Sequence, residues 1–171
     1  LLKIISVDDW NDFGKKSIEI DLKSKIFEDI IFDENLHKFL NMTFKSKFWF
    51  RNNPLHQIDN QKHRINNSTE GLFHIDNGLR QISIMILLND IDTSSSHMEY
   101  IKESHKDNYY SRVSRHNPKF INKTQRYLKN NKSLKLTGKR GTAYIFDAGN
   151  GIHRAVYGTG IRKTIHFKTF M

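Results

Sequence analysis

An antiparallel all-β core, a sandwich or jelly roll with minor helices, is the fold class the sequence predicts, and three observations carry it. The second half of the chain breaks into short runs rich in β-branched and aromatic residues, at 81–88, 98–101, 142–146, 152–157 and 161–170. Glycine-containing turns separate several of these runs, as at Gly138, Gly141, Gly158 and Gly160. Helical spacing of apolar residues is confined to two short stretches.

In chain order, residues 17–23 alternate apolar and polar, the pattern of a half-buried strand. From Asp33, an available N-cap, Leu36, Phe39, Leu40 and Phe44 fall at helical spacing and predict one amphipathic helix. Residues 51–71 run through Asn52, Asn53, Pro54, Asn60, Asn66, Asn67, Ser68 and Gly71, a composition that predicts a long loop. A second helix is expected over 119–132, around Phe120, Ile121, Thr124, Tyr127 and Leu128. No internal repeat is visible. A chain of 171 residues with 37% hydrophobic content supports one core and hardly two, so a single domain is expected over 1–171. Within it, residues 1–70 form a strand, helix and loop, and 71–171 form the core with a basic insertion at 102–140.

The absence of cysteine excludes disulfides, thiolate nucleophiles, zinc ribbons and iron–sulfur ligation, leaving His and carboxylate as metal ligands. No apolar run reaches the roughly 20 residues of a membrane helix, so a cytoplasmic protein with no membrane partner is expected. A start at Leu1 instead of methionine leaves room for residues upstream. The net charge of +10 is concentrated: residues 102–140 hold twelve Lys or Arg against Glu103 and Asp107, while the rest of the chain holds sixteen of each sign. Such a segment is either a solvated insertion or an anion-attracting lid beside a site.

Two histidines and one carboxylate on one face of a metal leave three adjacent coordination positions open, the arrangement a dioxygenase needs. His74 and Asp76 sit two apart, which in an extended strand places both on one face. The pair is not unique, because His97/Glu99 and His105/Asp107 share the spacing. Only His74/Asp76 is followed directly by a long hydrophobic strand and lies well upstream of a further histidine, His153, in a strand–turn–strand unit. That unit reads as a β-hairpin turning near Gly158 and Gly160. With Tyr157 paired to Arg162, the residues His153, Ala155, Tyr157, Arg162, Thr164 and His166 share one face. His153 and Arg162 then stand roughly 13 Å apart along the strand at about 3.3 Å per residue, a gap that an arginine and a five-carbon diacid chelating the metal together span. The planar guanidinium of Arg162 suits bidentate binding of the diacid's far carboxylate, and Thr164 offers it another hydrogen bond.

These stretches resemble the phytanoyl-CoA dioxygenase-like family of iron(II)/2-oxoglutarate oxygenases. The likeness rests on Phe73-His-Ile-Asp76, on the apolar run from Ile82 to Asn89-Asp90, on Tyr100-Ile-Lys-Glu-Ser-His-Lys106, on Gly141-Thr-Ala-Tyr-Ile-Phe-Asp147, and on His153 with Arg162. It covers about 72–106 and 141–170. The resemblance implies a cupin-like double-stranded β-helix in which His74, Asp76 and His153 hold Fe(II) and are catalytic. It also implies that Arg162 and Thr164 bind 2-oxoglutarate, and that O₂ is used to hydroxylate a substrate with release of succinate and CO₂. Met85 stands where the family often carries an aromatic near the co-substrate, and Glu103 replaces the usual glycine before Ser-His-Lys. Asp76 argues for hydroxylation, since related halogenases carry a small residue there. Ser104 and His105 are expected to be structural, His166 to lie beside the ligands, and His56, His63, His97 and Glu99 to take no direct part. A small carboxylated or phosphorylated substrate is the expected partner. The rival readings are a nucleic-acid-binding module or nucleic-acid-modifying oxygenase using the basic segment with its Tyr109, Tyr110, Phe120 and Tyr127, and a cupin-like jelly roll holding a metal other than iron.

Overall fold

The computed structural model describes residues 13–19, 25–64, 71–76, 81–106, 129–130 and 133–170. Strand β1 (Phe13–Glu19) leads to helix α1 (Lys25–Ile31) and helix α2 (Glu34–Phe44), then to strands β2 (Trp49–Arg64), β3 (Gln81–Leu87), β4 (His97–Ile101), β5 (Ser133–Leu136), β6 (Ala143–Asp147), β7 (His153–Val156) and β8 (Arg162–Phe170). They form two antiparallel sheets, one ordered β1-β2-β8-β3-β6 and the other β5-β4-β7.

Strand β3 of the first sheet is buried on both faces. Ile82 and Ile84 of β3 and Phe167 of β8 form a cluster with Leu40 of α2, joined by Leu36, Phe44, Ile30 and Ile31. This face seals the helices onto the sheet. Helix α2 starts as expected, with the Asp33 carboxylate accepting from the Leu36 amide at 2.6 Å, and ends at Lys45 in the left-handed region. Phe39 departs from the predicted stripe and is exposed, whereas Leu40 is buried. On the opposite face, Met85, Leu87 and Phe146 meet Leu136, Met98 and Tyr100 of the second sheet, closing the jelly-roll interior.

The five strands expected in the second half are all present, with ends shifted by about one residue. Three expectations are corrected. The loop predicted over 51–71 is instead mostly β2, held between β1 and β8. Its pairing with β8 shifts register between Arg51 and Leu55, which accommodates Pro54, and pairing on both sides overrides the turn-like local composition. The predicted hairpin does not form: β7 pairs with β4 and β8 pairs with β2 and β3, so residues 157–161 cross from one sheet to the other. The glycines there serve close approach, since a Cβ on Gly158 would stand 2.0 Å from the Ser94 carbonyl oxygen. Third, the end of the basic segment is not inserted but contributes β5, paired to β4. Strand β1 begins at Phe13, ahead of the expected 17–23 run, and α1 was not expected. The helix expected over 119–132 lies almost wholly outside the described residues, as does the centre of the basic segment. Among the described residues, no helix is long and apolar enough to cross a membrane.

Candidate metal centre

His74 and His153 are neighbours through their backbones. Each amide donates to the other's carbonyl at 2.9 Å, so the segment around His74 continues the second sheet past β7. Paired residues project to one face, and the two imidazoles lie 4.6 Å apart between centroids. Asp76 is held by its own amide, which donates to the Ala148 carbonyl at 2.9 Å. Its Oδ1 then lies 3.4 Å from Nε2 of His153 and 3.9 Å from Nε2 of His74. One ligand atom from each of the three falls within 4.8 Å of the others, the one such group among the described residues.

The opposite ring nitrogens are committed elsewhere. Nδ1 of His74 lies 2.7 Å from the Leu72 carbonyl and Nδ1 of His153 lies 2.9 Å from the Gly151 carbonyl. A carbonyl only accepts, so each Nδ1 carries a proton and each Nε2 is left facing the centre. Burial pushes the Asp76 carboxyl up, but the hydrogen bond and charge of His153, with Lys168 and His74, outweigh it and hold it well below the usual carboxylate range. Two imidazoles that each turn Nε2 to the centre and one ionised carboxylate are the donor set that suits a first-row divalent cation, and the residues fit it.

The triad opens onto a cleft between the sheets whose wall includes Ser83, Met85, Phe146, Arg162, His166 and Lys168. Arg162 is 3% exposed, and Thr164 beside it is buried. The buried hydroxyls of Ser83 and Thr164 make no hydrogen bond, a costly state unless a ligand satisfies them. Met85 is buried in the same wall. The structure thus brings together His74, Asp76, His153, Arg162, Met85 and His166, with Thr164 on the same inward face of β8. Arg162 reaches the cleft across the sheets and not along a hairpin.

Of the other two His-x-acid pairs, His105 is exposed and Asp107 lies outside the described residues. His97 and Glu99 project from the far face of β4, where Glu99 pairs with Arg154 at 2.6 Å and accepts from the Ser133 hydroxyl. The Arg154 guanidinium also stacks over Phe73 at 4.3 Å, tying the segment that carries His74 to β7. Ser104 is structural as expected: its hydroxyl donates to the Ile101 carbonyl at 2.7 Å and accepts from the Ile152 amide at 2.8 Å, setting the start of β7 one residue before His153. The sequence reading passed over Gln81, Ser83 and Lys168. Their inward parity with Met85 on β3 and His166 on β8 was the available signal.

No protein-family model and no curated protein matches the chain. Solved structures do. EctD from S. alaskensis in its apo form is similar with a TM-score of 0.62 at 16% identity, over 91% of this chain and 56% of that one. The non-heme alpha ketoglutarate dependent carbocyclase SnoK from nogalamycin biosynthesis reaches 0.59 at 13% identity, over 85% and 58%. EctD with 2-oxoglutarate and 5-hydroxyectoine reaches 0.57 at 12% identity, over 92% and 56%. The chain spans little more than half the length of these proteins. Likeness at such identities is one of fold, and that fold is an all-β, cupin-like jelly roll.

Proposed function

We propose that this chain is an iron(II)- and 2-oxoglutarate-dependent oxygenase that hydroxylates a small-molecule substrate, with His74, Asp76 and His153 as the metal ligands. The observation that carries this reading is the convergence of both Nε2 atoms on Asp76 Oδ1 at the end of a cleft whose wall holds the buried Arg162. Neighbouring structures support it, since EctD has been solved with bound Fe and with 2-oxoglutarate.

Iron, 2-oxoglutarate and O₂ together would supply the oxidant, one oxygen atom ending in the substrate hydroxyl and the other in succinate as CO₂ leaves. The chain's own residues bind and orient. Arg162 and Thr164 would hold the far carboxylate of 2-oxoglutarate by a bidentate ion pair and a hydroxyl hydrogen bond. Ser83 offers another donor along the same wall, and Met85 with Phe146 lines the cleft with apolar surface that excludes water. The basic 102–140 stretch and Lys168 at the cleft favour a substrate bearing a carboxylate or phosphate.

Anaerobic addition of Fe(II) and 2-oxoglutarate should give the weak visible charge-transfer absorption of a chelate, lost or strongly weakened in Arg162→Ala. Succinate should form on admitting air. Neither band nor succinate would sink the reading.

A further inference from the structure

Asp76 uses its two carboxylate oxygens differently. Oδ1 faces the two imidazoles, while Oδ2 accepts from Nε2 of Gln81 at 2.5 Å and from Nζ of Lys168 at 3.4 Å. Gln81 is 2% exposed and does not line the cleft. Lys168 is placed by β8, where it pairs with Ser83 of β3 on the inward face.

Resting on the oxygenase reading above, we propose that Gln81, assisted by Lys168, is a positioning residue that keeps Asp76 a one-oxygen metal ligand and so preserves the third open coordination position. A carboxylate binds a metal through one oxygen or both. Binding through both would occupy one of the three positions that a chelating 2-oxoglutarate, taking two, and O₂, taking one, require. A neutral amide donor and a lysine on Oδ2 satisfy that oxygen's lone pairs and pin the carboxylate's rotation, the task that groups behind a ligand perform in metal sites. Among the described residues, these two groups are the ones that hold Oδ2 away from the ion.

The test uses Co(II), which is redox-stable and reports coordination in its visible spectrum, and follows Co(II) binding and 2-oxoglutarate binding separately in wild type, Gln81→Met and Lys168→Met. Methionine keeps the shape of glutamine and removes the donor. In Gln81→Met, Co(II) still binds, while 2-oxoglutarate binds the Co(II)-loaded protein at least tenfold more weakly and the visible spectrum of the co-substrate-free complex changes. Lys168→Met, at a half-buried position less critical for folding, shows the same change at a few-fold. A group of merely structural importance would lower thermal stability without separating the two affinities. Wild-type affinity for 2-oxoglutarate in Gln81→Met overturns the proposal, as does loss of Co(II) binding itself, which would make Gln81 part of site assembly. Failure of the wild-type protein to bind Co(II) and 2-oxoglutarate strikes instead at the functional reading.

Discussion

Both faces of β3 are buried, but over its first four residues they differ in chemistry. Ile82 and Ile84 turn toward α2 and are 1% and 3% exposed, whereas Gln81, behind Asp76, and Ser83, in the cleft wall, turn to the other side at 2% and 1%. β8 repeats the division, with Phe167 under the helices and Arg162 and Thr164 at the cleft. Apolar burial stabilises by about 25 cal/mol per Å², and each unsatisfied buried polar group costs about 1–3 kcal/mol. Apolar clusters on both sides of the sheet hold the fold together, and the partnerless hydroxyls of Ser83 and Thr164 on the inward side weaken the ligand-free protein in exchange for a site that a ligand completes.

The largest expected effect separates these roles. Ile84→Ala leaves a cavity beneath α2 and should cost about 2–5 kcal/mol of stability in urea denaturation, with Co(II) affinity of the folded fraction unchanged. A loss of metal affinity matching the loss of stability would show that the two faces are not independent.

A smaller effect is expected on the outer face of the second sheet, where the Glu99 carboxylate is paired. Glu99→Gln breaks the ion pair with Arg154 and should cost roughly 1–2 kcal/mol, the low end for charged hydrogen bonds because Arg154 is partly exposed. Burial raises the Glu99 pKa, but the Ser133 hydroxyl and Arg154 outweigh it and hold it below the ordinary glutamate value. A depressed carboxylate contributes stability above its unfolded pKa, about 4.3, and loses it as pH falls through the folded value. The stability gap between wild type and Glu99→Gln should therefore narrow as pH is lowered below about 4. A gap independent of pH would contradict the ion-pair account.

Ser83→Ala should act with the opposite sign to Ile84→Ala. Removing a buried hydroxyl that has no partner is expected to stabilise the ligand-free protein by roughly 1 kcal/mol, seen as a higher melting temperature. Destabilisation there would mean that the cleft face is not under polar strain.

The smallest effect concerns an exposed turn, the opposite case to the cleft. The Asp92 carboxylate accepts from the hydroxyls and amides of Ser94 and Ser95, which hold its pKa at about 2. In the Ser94→Ala/Ser95→Ala pair of changes, an NMR titration should move that pKa upward toward the ordinary value. An unmoved titration would remove the hydroxyls as its cause.

Much of this architecture was legible in local pattern. The apolar run of β3, the alternation of β8 and the Asp33 cap need only near neighbours, and the structure keeps all three. Strand β2 was not legible, because its Asn- and Pro-rich stretch is made extended by β1 and β8, partners distant in sequence. The supposed hairpin failed for a related reason: a short glycine-containing link looks the same whether it joins two strands of one sheet or carries the chain across to another. Inward parity survived the error, because alternation along each strand is local even when the partner strand is misjudged.

By itself the sequence determined which residue types a site here can contain, since a cysteine-free chain is confined to nitrogen and oxygen ligands, and it determined which strand positions share a face. Among three His-x-acid pairs the sequence favoured His74/Asp76 by position alone, and the tertiary structure supplied the physical selection. It did so through the reciprocal backbone hydrogen bonds that set His74 beside His153, and through β4, which turns His97 and Glu99 to the far face. It also decided that Arg162 faces the triad from the other sheet, and that Gln81 and Lys168 hold the second oxygen of Asp76. The physical reason is range: side-chain parity follows from covalent geometry over a few residues, whereas the meeting of Asp76, His153 and Lys168 depends on how two sheets close over a shared interior.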